Sequence, residues 1–137
     1  MHKIQIQIRF SDIDRLGHVN NSIYSQYMDV ARLDYLKKTI GKFIKWNEKT
    51  VVVVHTDNDF LLPTLIDDTI FVTTEVVKIG NRSISVNQQI IDEKGNVKVK
   101  SNCIFSTLDV KNNTSFPVPA EWKKCIEDFE GKKFSNL

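Results

Sequence analysis

Arg9-Phe10-Ser11-Asp12-Ile13-Asp14-Arg15-Leu16-Gly17-His18-Val19-Asn20-Asn21-Ser22-Ile23-Tyr24 joins two segments of different hydrophobic period. Before it, residues 3–10 alternate. Ile4, Ile6, Ile8 and Phe10 share one face, and Lys3, Gln5, Gln7 and Arg9 the other, which is the pattern of a half-buried strand. From about Asn21 the spacing becomes helical: Tyr24, Tyr27, Met28, Ala31 and Tyr35 fall on one stripe. Ile23, Val30, Leu33 and Leu36 widen that stripe, so the helix is expected to be covered on more than one side. Gly41 is the expected stop, and Lys37 and Lys38 suit the negative end of the helix. Residues 11–20, polar and holding Gly17, read as the loop between. At a strand-to-helix junction a carboxylate and the unpaired N–H groups of a helix start can be aimed at one substrate atom.

Beyond Gly41 the texture is β. Val51–Val54 is a continuous β-branched run, residues 70–79 are rich in Val, Thr and Ile, and Ile84, Val86 and Ile90 alternate with polar residues. The tight Asp92–Asn96 connection makes the next strand, about 97–109, an antiparallel neighbour. Asn112-Asn113 marks another turn, and Pro117 and Pro119 end the sheet. Residues 120–129 read as a short helix with Trp122, Cys125, Ile126 and Phe129 on one side. One strand, one long helix and then four or more strands is an α+β layout. With 137 residues and no linker, repeat or low-complexity stretch, residues 1–137 are expected to form one domain with its own core.

Composition narrows the function classes. A net charge of +2, from 19 basic and 17 acidic residues, makes no electrostatic case for nucleic acid. Lys98 and Lys100 alternate along a strand and read as a solvated face. Cys103 and Cys125 lack metal-ligand spacing, and Cys103 reads as a small buried hydrophobe. No basic start followed by an apolar segment and no run of membrane-spanning length is present, so a cytoplasmic protein without membrane insertion is expected. A Ser/His/Asp elbow, a phosphate-cradling glycine loop and a dinucleotide fingerprint are all missing.

The candidate chemistry gathers at the junction. Asp12 reads as a turn or cap carboxylate, whereas Asp14 fits either such a turn or a catalytic carboxylate. His18 has no second His or Cys nearby for zinc and fits either a loop imidazole or a catalytic one. His2 is terminal and carries no expected role, and His55 reads as a satisfied core or sheet residue. Asn20 and Asn21 suit an N-cap, and a carbonyl oxygen placed on the first helical N–H groups would be polarised as in an oxyanion hole. Tyr35 reads as core, while Tyr24, one turn from the junction, could line a pocket. Lys78, Asn81, Arg82 and Ser83 around Gly80 fit either a plain turn or a phosphate-holding mouth.

The run Asp12-x-Asp14-x-x-Gly17-His18-Val19-Asn20-Asn21, followed by Tyr24, Tyr27 and Asp29-Val30-Ala31-Arg32, resembles the hot-dog-fold acyl-CoA thioesterases. The branch is the one that groups 4-hydroxybenzoyl-CoA thioesterase with bacterial long-chain and YbgC-like thioesterases. Asp59-Phe60 with Pro63, Asp67-Asp68, Gly80-Asn81-Arg82-Ser83 and Pro117-Val118-Pro119 resemble the family's layout in order. The resemblance implies an antiparallel sheet wrapped around the long helix, and a homodimer or tetramer with its active site between subunits. It also implies hydrolysis of acyl-CoA thioesters to free acid and coenzyme A. Asp14 would be the nucleophile or general base, and the Asn21 backbone N–H the oxyanion donor. His18, Asn20 and Tyr24 would shape the site, and Lys78, Asn81, Arg82 and Ser83 would contact coenzyme A phosphates. No metal or separate cofactor is implied, coenzyme A being part of the substrate. Two alternatives share the fold: a non-catalytic acyl-CoA or acyl-carrier-protein binding module, and a thioesterase acting on acyl-carrier protein.

Overall fold

The structure, a computed structural model, describes residues 1–135. Its elements run β1 (His2–Ile6), a short 3-10 turn (Phe10–Asp12), α1 (Tyr24–Thr39), β2 (Lys49–Phe60), β3 (Ile70–Ile79), β4 (Ser83–Asp92), β5 (Val97–Asp109) and α2 (Ala120–Glu130). The strands form one antiparallel sheet in the order β1-β3-β4-β5-β2. The α+β expectation holds; β3, β4, β5 and α2 fall where the alternation and turn residues put them, and β2 extends well beyond the Val51–Val54 run.

The alternation over 3–10 is only half realised as strand. Pairing with β3 ends at Ile6–Ile70. The chain then turns through Phe10–Asp12, where Asp12 N–H donates to the Arg9 carbonyl at 2.9 Å, and Phe10 is left 86% exposed instead of sharing the buried face. Asp12 is what bends it: buried to 1%, the carboxylate accepts from the Arg9 amide at 3.0 Å and the Tyr27 hydroxyl at 2.6 Å and pairs with the Arg9 guanidinium at 2.9 Å. Satisfying that buried charge outweighs three more residues of ladder. Residues 21–23 form a turn leading into α1, and Gly41 serves close approach: a Cβ there would stand 2.9 Å from the Lys37 Cα and carbonyl oxygen.

Alpha-helix α1 lies on the sheet with its two halves in two apolar clusters. Tyr24, Tyr27, Met28 and Ala31 pack with Ile6, Val19, Ile70, Val72, Ile90 and Val99. Tyr35, Leu36 and Ile40 pack with the far half of the sheet and with Trp122 and Ile126 of α2. Between the halves sits a buried polar belt. Arg32 donates to Gln88 Oε1 at 2.9 Å and pairs with Asp29, while the Gln88 amide donates to the Met28 carbonyl and Thr74 Oγ1, both at 3.1 Å. Every buried partner in the belt is engaged, which fixes the rotation of α1 over β3 and β4. Tyr35 and Cys103 are core, as expected, and burial pushes the Cys103 thiol up.

His2 departs from its expected irrelevance. It is buried, its Nε2 lies 2.7 Å from Asp34 Oδ2, and its ring packs edge-on to Tyr35. His55 is a sheet residue on an exposed stretch, 3.0 Å from Asp57. Lys98 is not on a solvated face: its side chain is 12% exposed, whereas Lys100 is exposed. Beta-strand β2 pairs with β5 on one side only, and a bulge between Val53 and His55 leaves Val54 59% exposed. Val30 and Leu33 of α1 are also exposed, so one chain alone does not cover the wide stripe of the helix. No helix among the described residues is long and apolar enough to cross a membrane.

Candidate active site

The loop after Asp12 folds as a small clasp. Ile13 and Val19 pair antiparallel, the Asp14 N–H donates to the His18 carbonyl at 2.8 Å, and the Gly17 N–H donates to the Asp14 carbonyl at 3.1 Å. Gly17 closes the turn with φ +84°, a left-handed conformation that a side chain resists. Inside the clasp Asp14 Oδ1 accepts from the Leu16 amide at 2.9 Å and the His18 amide at 3.4 Å. The turn reading of Asp14 is therefore correct for one oxygen. Oδ2 accepts no hydrogen bond among the described residues.

The clasp is tied down on two sides. The Val19 N–H donates to the Thr64 carbonyl at 2.8 Å, and His18 bridges to Leu65. The Asn20 N–H donates to the Asp12 carbonyl at 2.9 Å, and Tyr27, one turn into α1, holds the Asp12 carboxylate. Burial would raise the Asp12 carboxyl, but the bonds from Tyr27 and Arg9 outweigh it and hold it below the ordinary value. Burial and the adjacent Asp12 carboxylate push the Tyr27 phenol up, so it stays a donor.

The N-cap of α1 is Ile23, with no side-chain cap, so neither Asn20 nor Asn21 takes the N-cap place expected of them; Asn20 instead folds the turn ahead of it. Its Oδ1 accepts from the Ser22 amide and the Ser22 hydroxyl, each at 2.9 Å, and its carbonyl accepts from the Ile23 N–H at 2.8 Å. The Asn21 N–H has no hydrogen-bond partner among the described residues. Asp14, His18, Asn20, Asn21 and Tyr24 thus line one cleft of about 400 Å³, as the sequence grouped them. Tyr24 is buried against Thr64, its ring 5.8 Å from that of Phe60, and burial pushes its phenol up. The opposite wall comes from Phe60, Leu61, Leu62 and Pro63, which sequence reasoning did not assign to a site. The available signal was an apolar run closed by proline directly after the polar stretch Thr56–Asp59.

Lys78, Asn81, Arg82 and Ser83 do not join this cleft within the chain. Ile70 of β3 lies beside the end of β1 that leads into the clasp, and the 80–83 turn is at the other end of β3, about 30 Å away for nine residues of strand. The Arg82 guanidinium is used locally, donating to the Ser115 carbonyl at 2.9 Å and its hydroxyl at 3.0 Å. Among the described residues no group of three or more His, Cys, Asp or Glu side chains converges as a metal-ligand set.

The chain packs one long helix on an antiparallel sheet, with Asp14 and Asn21 in the cleft ahead of that helix. It belongs to the thioesterase superfamily, whose family model matches residues 16–99. It is similar to the long-chain acyl-CoA thioesterase FadM of Escherichia coli K12, 23% identical over 125 residues that cover 90% of this chain and 95% of that protein. A thioesterase from Thermus thermophilus, solved in complex with coenzyme A and zinc, superposes with a TM-score of 0.86 at 26% identity over 96% of each chain. Escherichia coli YbaW superposes with a TM-score of 0.85 at 23% identity, over 95% of this chain and 99% of its own. The hot-dog fold expected from the resemblance is the fold observed.

Proposed function

We propose that the protein hydrolyses acyl-CoA thioesters to free acid and coenzyme A in the cleft at the start of α1. One observation carries the reading: Asp14 and Asn21 line the same cleft, and Asp14 Oδ2 and the Asn21 N–H have no hydrogen-bond partner among the described residues. A thioester carbonyl oxygen on the Asn21 N–H meets an unpaired donor in the turn that leads into the positive end of α1, an arrangement that favours the oxyanion more than the ground-state carbonyl. Asp14 Oδ2 then attacks the carbonyl carbon, giving a mixed anhydride that water cleaves, or takes the proton from a water that attacks it. In either route the C–S bond breaks and the departing thiolate takes up a proton. The apolar wall of Tyr24, Phe60, Leu61 and Leu62 suits an acyl chain. The likeness to FadM and to a thioesterase holding coenzyme A supports the substrate class.

The functional unit is a homodimer in this reading. The free edge of β2, exposed Val52, Val53 and Val54, and exposed Val30 and Leu33 offer backbone donors and apolar surface to a second copy. Phosphate contacts by Lys78, Asn81, Arg82 and Ser83 are then made by the hairpin of that second subunit. The test is thiol release by the wild-type protein from acyl-CoA thioesters of graded chain length. Release above the background rate is expected; binding of every thioester without hydrolysis would instead favour the non-catalytic module.

A further inference from the structure

We propose that Lys98 is a positioning residue for the cleft, holding residues 61–69 as the wall against which the acyl chain and the Asp14 clasp are set. The proposal rests on the reading of the cleft as a thioesterase site. Lys98 lies on β5, outside the cleft, yet both its backbone and its side chain are committed to that wall. Its carbonyl accepts from the Leu61 N–H at 2.9 Å and the Leu62 N–H at 3.1 Å. Its ammonium donates to the Pro63 carbonyl at 3.1 Å and lies 3.6 Å from Asp68 Oδ2 and 3.9 Å from Asp92 Oδ2. With only 12% of the side chain exposed, the charge is held by these oxygens more than by water.

The wall passes the constraint on. Asp68 Oδ2 also accepts from the Leu65 N–H at 2.9 Å, and the Asp68 N–H donates to the Leu65 carbonyl at 3.0 Å, so residues 65–68 close on themselves. The neighbouring Thr64 carbonyl accepts from the Val19 N–H, and Leu65 bridges to His18, whose own amide donates to Asp14 Oδ1. Hydrogen bonds, one ion pair and the short stretch of chain between them therefore link the ammonium through the 63–68 segment to the clasp. Asp92 supplies the fixed end: it already accepts from Lys94, Asn96 and the Asn96 side chain in the β4–β5 turn. Leu61 and Leu62 sit on the cleft side of the pinned segment, so slack there changes how the chain is held before it changes the chemistry.

The test compares wild type with Lys98→Met, Lys98→Arg and Asp68→Asn, reading amide hydrogen exchange and the kinetics of acyl-CoA hydrolysis. In Lys98→Met, exchange at Val19, Leu65 and Asp68 is expected to rise about tenfold or more, while amides in the middle of β3 and β4 keep their protection. KM is expected to rise about tenfold for the best chain length with kcat within about threefold, and chain-length discrimination to flatten. Lys98→Arg, which keeps the charge and donors, is expected to restore most of both. Unchanged exchange, or unchanged KM, in Lys98→Met overturns the proposal. Should that variant not fold, Asp68→Asn with Lys98 in place asks the same question at Val19 and Leu65. Wild-type protein that hydrolyses no acyl-CoA overturns the thioesterase reading instead; the exchange result then decides the pin alone, with a rise supporting it and no change overturning it.

Discussion

Asp14→Asn separates the two jobs of one carboxylate. Oδ1 is structural, accepting from the Leu16 and His18 amides, while Oδ2 of this cleft-lining residue has no hydrogen-bond partner among the described residues. An asparagine keeps a carbonyl oxygen for the two amides and puts its NH2 where Oδ2 stood. The clasp should survive, with a stability change within about 0.5 kcal/mol, as for a substitution that disturbs no buried partner. The chemistry should not survive, because an amide neither attacks a carbonyl carbon nor takes a proton from water. Loss of a positioned base alone removes about 10²–10⁴ in rate, which is about 3–5 kcal/mol of barrier. Asp14→Ala removes both functions. Losing the acceptor for two partly exposed amides adds about 1–2 kcal/mol of destabilisation. At about 0.29 kcal/mol/K of unfolding entropy for this length, that lowers Tm by about 3–7 °C. The assay pairs thiol release under saturating acyl-CoA with calorimetric Tm for the three proteins. Asp14→Asn with more than a tenth of wild-type turnover, or with a Tm as low as that of Asp14→Ala, would refute the division of labour.

Four other outcomes are expected. Asn21→Pro removes a backbone N–H that has no partner to lose, in the turn two residues before the Ile23 N-cap, so the protein should fold while kcat falls about 10²–10³; Asn21→Ala should cost less than about tenfold. A proline variant with wild-type kcat moves the oxyanion donor elsewhere. Tyr27→Phe takes a 2.6 Å charge-assisted bond from a buried carboxylate and should destabilise by about 2–3 kcal/mol, read as the shift of a urea midpoint at constant m. A midpoint shift under about 0.5 kcal/mol would mean that Asp12 does not depend on Tyr27. Because the folded Asp12 carboxyl is held below its ordinary 3.8, its contribution is complete above that pH and disappears as acid titrates through the lower folded value. The stability gap between wild type and Asp12→Asn should therefore be flat from neutrality to about pH 5 and shrink below pH 4; a gap that stays constant into strong acid contradicts the linkage. Light scattering should give the mass of two chains or four, and a fully active monomer would remove the second subunit from the site.

Local pattern was enough to read the elements whose burial depends on their own period. Beta-strands β3, β4 and β5 alternate, and α1 repeats its aromatic stripe, so each declares its buried face without knowing its neighbour. The loop over 11–20 was legible for a similar reason: Asp, Gly and Asn are turn-forming types packed into ten residues, and the bonds among Asp14, Leu16, Gly17 and His18 span a few positions of chain. Where contacts join distant positions, pattern failed. Phe10 continued the alternation, but Asp12 and Tyr27, fifteen residues apart, turned the chain away from the sheet. His2 looked terminal because nothing nearby announces Asp34. Lys98 looked solvated because its oxygens come from Pro63, Asp68 and Asp92.

The order of residues by itself determined an α+β layout, one long helix and the polar loop with Asp14 before it, because those follow from short-range periodicity and turn chemistry. Only the tertiary structure decided which wall faces Asp14, that the 78–83 hairpin lies at the far end of the sheet, and that one edge of β2 and one face of α1 stay uncovered. Strand order and loop placement depend on which buried groups must share partners across the whole chain, and no window of neighbouring residues contains that information.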